Sequence, residues 1–399
     1  MEDVLRASLK GMAQPPSTPL AVSHQAWFEA VATAMLHSPE DCVRIAQRGL
    51  ECMLDGSTYT RNGARVSLSE ASTLPPRKRL RAHIVRGTAA RLDVDAVARE
   101  FNALASAWVD AGMADGDVMA ECGAVPASWD LRGVDFIVLG ALSDDAPSRE
   151  LLRLGATVLA VDAPGPRWVE LEAAARASCG TLVIACQGDH DDDDDDDDVD
   201  ADRRGCSLVA DLPEVTIFVL QHAASAQPVL CNFVASADFP LVACADALVE
   251  HVCEARNGSA LAAWSSPDEA LLVGEGGELR IVERAPPSAR IQGTSALTKA
   301  RFGRTCGAQS SFVLKRATGG DASSLMGGQV RRWRAVVARQ LGTYRWLADK
   351  RRHVVSGNVR PSGGSLLVCT LLLVHDLRRP AAAVDSPLRL FNQWGGSRL

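Results

Sequence analysis

The stretch Val134–Asp162 (VDFIVLGALSDDAPSRELLRLGATVLAVD) carries the residues best suited to chemistry. Gly140 ends an apolar run and can make a tight turn. Ser143 offers a hydroxyl, and Asp162 offers a carboxylate 22 positions after the glycine. A turn of this kind before a helix can aim backbone N–H groups at a phosphate, and a small residue such as Ala141 lets the ligand approach closely. An acid at the end of the next apolar run can accept hydrogen bonds from ribose hydroxyls. The neighbours oppose a phosphate. Leu142 stands where a second glycine would, Asp145 or Ala146 where a third would, and Asp144 and Asp145 add negative charge. Pro147 can open the helix that follows.

These residues need elements to hold them. Phe136–Leu139 reads as a buried strand, SRELLRLGA as a short amphipathic helix and TVLAVD as a second strand. RWVELEAAARAS and GTLVIAC continue the alternation, which predicts a parallel sheet. EVTIFVLQH and QPVLCNFVAS read as further strands, and Ala243–Arg256 as a helix. Glu269–Arg284 reads as two strands around a glycine turn. Its GEGGEL is no phosphate loop, because ELRIVE alternates like a strand instead of opening a helix. Upstream, helical spacing covers His24–Leu54 and Asp95–Ala111.

On the strand–turn–helix–strand order, Gly140 and Asp162, the segment Val134–Ala185 resembles the first half of an NAD(P)-binding Rossmann domain. One glycine of the three-glycine motif is present. The resemblance implies an α/β fold: a Rossmann-like parallel sheet domain over 115–285, after a helical N-terminal region and before a C-terminal region left unassigned. It implies NAD as cofactor, with Gly140, Ala141 and Ser143 at the phosphates and Asp162 at the ribose. The acid disfavours the 2′-phosphate of NADP, although Arg167 lies close enough in sequence to leave NADP open. The implied reaction is hydride transfer on a small-molecule substrate, met by the loops near Ala185, Leu220 and Ser236. No catalytic residue is assigned. The Tyr-x-x-x-Lys pair of short-chain dehydrogenases is absent, since Tyr59 is followed by Gly63 and Tyr344 by Ala348.

Two alternatives stand beside this reading. Leu142 and the missing acid–base pair favour a non-catalytic, degenerate Rossmann scaffold that binds a partner. The same topology with an acid after the second strand also resembles S-adenosylmethionine-dependent methyltransferases, against which VLGALS lacks an acid just before its loop.

Composition sets the outer limits. The chain has 399 residues, 47% hydrophobic but only 5% aromatic, so its core is built from small aliphatics. Removing the eight aspartates Asp191–Asp198 takes the formal charge from −7 to +1, so no cationic partner is implied. Residues 188–205 read as an acidic, disordered surface insertion, because a block of like charge cannot be buried. Eleven cysteines without a C-x-x-C pair argue against zinc ribbons and disulfides and for a reducing compartment. Residues 1–20 read as a flexible lead without a signal-peptide core, and 21–114 as the helical region. Ser365–Val374 is too short for a membrane span of ~20 residues. The expectation is a soluble cytoplasmic protein, with PRKRLR (Pro76–Arg81) as a candidate nuclear address. No metal site is expected. His251 and Glu254 form only one pair, and His190 lies among unordered aspartates. His375 with Asp376 is a candidate base pair. The basic helix Arg331–Arg352, holding Trp333, Tyr344 and Trp346, reads as Arg stems packed on an apolar face, so no nucleic-acid partner is expected. The region 286–399 is otherwise unassigned, and nothing in the sequence sets the oligomeric state.

Overall fold

The computed structural model describes residues 2–11, 15–19, 27, 30, 48–49, 51–110, 123–124, 129–144, 146–187, 204–225, 228–234, 239–256, 260–265, 270–275, 278–283, 354–359, 366–368, 370–371 and 374. The acidic run, His190, the segment 286–328, the helix Arg331–Arg352 and the His375–Asp376 pair lie outside them.

The elements run α1 (Glu2–Leu9), β1 (Thr58–Arg61), β2 (Ala64–Ser67), α2 (Leu68–Ala71), β3 (Leu80–Arg86), α3 (Val94–Asp110), β4 (Asp135–Leu139) and α4 (Ser148–Arg153). They continue as β5 (Thr157–Val161), α5 (Arg167–Arg176), β6 (Thr181–Gln187), α6 (Leu212–His222), β7 (Val229–Asn232) and α7 (Phe239–Ala255). Last come β8 (Ala260–Ser265), the antiparallel hairpin β9 (Ala270–Glu275) and β10 (Glu278–Glu283), and β11 (Val354–Val359).

All five residues of β4 are buried, as expected of a strand covered on both faces. Its alternation divides the core. Ile137 and Leu139 join Leu159, Val161, Val183 and Ala185 on one face of the sheet. Phe136 and Val138 join Val158, Ala160, Leu182 and Ile184 on the other. The first face is covered by α6 and α7 through Leu212, Val215, Phe218 and Leu248. The second is covered by α3, α4 and α5 through Phe101, Leu151, Leu152, Trp168 and Leu171. Leu367, Val368 and Leu371, from the late apolar run, are helical and buried on this second side.

Among the described residues, seven strands form one sheet in the order β11-β8-β7-β4-β5-β6-β3. All pairings are parallel except that of β3 with β6. Counting the parallel strands from β4 gives 3-2-1-4-5-6, the doubly wound order of a Rossmann-like α/β fold. The reversal falls between β4 and β7, where covering helices change face. Ligands of such sheets lie beyond the carboxyl ends of the strands at that point.

Several expectations are corrected. Glu214–His222, read as a strand for its run of Thr, Ile, Phe and Val, lies in helix α6. Pro213 sits in its first turn, and Leu212, Val215 and Val219 bury one helical face. The lead contains α1, whose Leu5 and Leu9 are fully buried. The sheet takes β3 from the region read as helical and β11 from the C-terminal region. That N-terminal region is fixed to α6 and to the turn before it. The Tyr59 hydroxyl donates to Ala210 O at 2.6 Å, and the Arg61 guanidinium pairs with Glu214. Among the described residues no helix is long and apolar enough to cross a membrane.

Candidate functional site at the carboxyl ends of β4 and β5

The register that sets Leu139 beside Val161 carries the chain into two adjacent loops, so Gly140 and Asp162 become neighbours. Gly140 has φ +74°, and a side chain there would stand 2.8 Å from Phe233 O and 3.0 Å from Val234 N. The glycine therefore lets the loop after β4 lie directly against the loop after β7, at the switch point.

The backbone donors from Gly140 to Ser143 are spent within the fold. Gly140 N–H donates to Val161 O at 2.9 Å, and Ala141 N–H points to the same carbonyl at 3.4 Å. Ser143 N–H donates to Gly140 O and Ala146 N–H to Ser143 O, both at 3.0 Å, closing two successive turns. Leu142 N–H donates to Asp162 Oδ2 at 2.8 Å, while Asp162 Oδ1 accepts Ala163 N–H at 2.8 Å. The Asp162 carboxyl is pushed above its ordinary range by burial, with these two N–H groups and Arg167 pulling the other way. Helix α4 starts only at Ser148, after Pro147, and has six residues. The Ser148 hydroxyl donates to Ala141 O at 2.9 Å and ties the helix back to the loop. Arg167, which opens α5, pairs with the exposed Asp144.

A third segment reaches the same rim. Arg204 forms an antiparallel bridge with Cys186, Gly205 N–H donates to Ala185 O at 3.0 Å, and Cys206 N–H donates to Asp162 O at 2.8 Å. Residues 204–206 thus cross the ends of β5 and β6. Gly205 has φ +99°, and a side chain there would meet Trp168 Nε1 at 2.6 Å. Arg204 is anchored by Glu172, whose buried carboxylate lies 3.0 Å from Arg204 Nε, 3.0 Å from Arg176 and 3.4 Å from His83 Nε2.

At the end of β7, the Asn232 amide donates to Asp246 Oδ1 at 3.0 Å and accepts Val234 N–H at 3.3 Å. Asp246 and Glu250, four residues apart on α7, are both buried. The sequence marks this group only by two acids at helical spacing within an otherwise apolar stretch. The loop near Ser236 lies outside the described residues, and Leu220 belongs to α6. His251 and Glu254 lie near the end of α7, and among the described residues no cluster of metal-ligating groups exists.

The structure brings Gly140, Ala141, Ser143 and Asp162 together at one rim. It gives Leu142, absent from that set, the hydrogen bond that joins this loop to the acid. In comparison with known proteins, no family model, no curated protein and no solved structure matches this chain.

Proposed function

We propose that this protein is a Rossmann-fold scaffold whose nucleotide crevice is closed by its own residues, and that it works by binding a partner rather than by hydride transfer. One observation carries the reading. The N–H groups of Gly140, Ala141, Leu142 and Ser143, which would hold a pyrophosphate, are all bonded inside the fold. A dinucleotide would have to break several of these bonds, each worth about 1 kcal/mol net, and bring its phosphates up to Asp144. The six residues of α4 also supply little dipole to repay that cost.

A second reading keeps the cofactor. Asp162 directly follows β5, where a ribose-binding acid ends the second strand of dinucleotide-binding domains, and the 3-2-1-4-5-6 order is theirs. On this reading NAD or NADP displaces Leu142 N–H from Asp162, and the protein is an oxidoreductase of an unidentified small substrate. S-adenosylmethionine, which has no phosphates, would escape the repulsion at Asp144 and is the ligand of the methyltransferase alternative.

A thermal-shift titration with NAD, NADH, NADP, NADPH and S-adenosylmethionine tests both. The scaffold reading expects no shift at millimolar ligand. A ligand at 100 times its dissociation constant adds about 2.7 kcal/mol, a rise of several degrees. Such a rise with NAD or NADH, lost in Asp162→Ala, would overturn the scaffold. A rise with S-adenosylmethionine alone would move the reading to methyl transfer.

A further inference from the structure

Among the described residues the sheet ends at β3, which pairs with β6 alone. Gly87 N–H donates to Gly180 O at 2.9 Å, so the antiparallel alternation assigns the backbone groups of Val85, His83 and Arg81 to β6. Those of Ala82, Ile84 and Arg86 then point outward, and among the described residues no strand meets them. β3 is seven residues long, unbroken in register and without proline. Its side chains are unusual for an unused edge, since Ile84 is 45% exposed.

Along the segment that carries this strand the charge has one sign. Between Ala71 and Leu92 the chain holds Arg77, Lys78, Arg79, Arg81, Arg86 and Arg91 and no acid. Lys78 is held by Asp211 at 2.9 Å. Arg77, Arg79 and Arg86 are exposed, and among the described residues none of their guanidinium groups forms an ion pair, the bond from Arg77 to Glu214 being made by its main-chain N–H.

We propose that β3 is a docking edge that accepts an acidic segment of another protein as an added strand. An open edge of this length is a template for pairing unless something blunts it. Main-chain hydrogen bonds to Ala82, Ile84 and Arg86 would supply the pairing. Ile84 would take an apolar side chain of the guest, and Arg79 and Arg86 would select acids beside it. The same arginines disfavour a second copy of this chain, because edge-to-edge pairing would gather like charges on both strands. The inference goes beyond the crevice and holds whether or not the crevice takes a ligand.

The test uses the full chain and a fluorescein-labelled peptide that alternates glutamate with valine and threonine, read by fluorescence anisotropy at low salt. Saturable binding is expected. It should weaken about tenfold or more in Arg79→Glu/Arg86→Glu and in Ile84→Lys, both exposed changes that leave the thermal midpoint near wild type. The same peptide N-methylated at alternate residues keeps its charge but loses its strand hydrogen bonds, and should not bind. Absence of saturable binding would overturn the proposal. So would equal binding of the N-methylated peptide, which would reduce the site to bare charge. Tighter binding of a single-stranded oligonucleotide would give the edge to nucleic acid, and a dimer dissociated by Ile84→Lys would give it to a second copy.

Discussion

Asp162 and Leu142, twenty residues apart in sequence, are joined by a 2.8 Å hydrogen bond from the Leu142 N–H to the Asp162 carboxylate. This bond closes the loop after β4 onto the end of β5. Leu142 is half-buried, and its amide would be left without that acceptor if the acid were removed. Asp162→Ala should therefore cost about 1–3 kcal/mol of stability, the range for stranding a buried donor. Asp162→Asn retains one acceptor and should lose less. Urea unfolding of both variants measures the difference. An alanine variant as stable as wild type would mean that the carboxylate does not hold the loop.

Gly140 and Gly205 stand on either side of that bond and permit it in the same way. Each has positive φ, and each would drive a methyl group into backbone or a tryptophan ring. A non-glycine residue in this conformation costs about 1–2 kcal/mol before any clash. Gly140→Ala adds contact with the backbone of Phe233 and Val234, which cannot step aside without opening the switch point. Thermal unfolding should show Gly140→Ala and Gly205→Ala each at least about 2 kcal/mol less stable than wild type. A change under about 0.5 kcal/mol in either would show that the loop relaxes freely.

The sequence made β4 through β6 legible because each strand there is a short apolar run bounded by Gly, Asp or a polar turn, with helices between. The nearness of Gly140 to Asp162 followed from the same order, since parallel neighbours of equal length end together. What stayed hidden depended on tertiary partners. α6 is rich in β-branched and aromatic residues, and its burial between the sheet and the N-terminal region outweighs its local preference. β3 pairs with a strand about 100 residues away and mixes buried with exposed positions, so periodicity does not mark it. Asp162 was legible as an acid in the right place. That its partner is Leu142 N–H depends on the exact course of the loop, which side-chain types do not encode.

Arg61 and Glu214 fasten the N-terminal hairpin to α6. The Glu214 side chain is 3% exposed, and the oxygen that meets Arg61 also accepts Arg77 N–H at 2.8 Å. Removing one member leaves a buried charge that water cannot reach. Arg61→Met should cost about 3–5 kcal/mol, whereas Arg61→Met with Glu214→Leu should recover much of the loss. Chemical denaturation of the single and double variants separates the two costs. A double variant no better than the single would assign the effect to lost packing.

Glu150 gives the molecule a pH dependence that can be isolated. Its side chain on α4 is 21% exposed and lies 3.6 Å from Arg153, whose other nitrogen reaches Glu100 at the shorter distance of 2.7 Å. Burial pushes the Glu150 carboxyl above its ordinary range, and the shared arginine only partly offsets this. With its folded pKa above the unfolded one, the group favours the fold fully below the ordinary glutamate value of about 4.3. That contribution is lost as pH rises through the folded value, so at neutral pH the charged carboxylate is a net cost. Glu150→Gln removes the charge and keeps the shape. It should be more stable than wild type at pH 7 by under about 1 kcal/mol, with the gain fading as pH falls below the carboxylate range. Urea midpoints of the two proteins from pH 7 to pH 4 measure this convergence. If the glutamine variant is instead weaker at pH 7 and draws level on acidification, the pairing with Arg153 outweighs the burial.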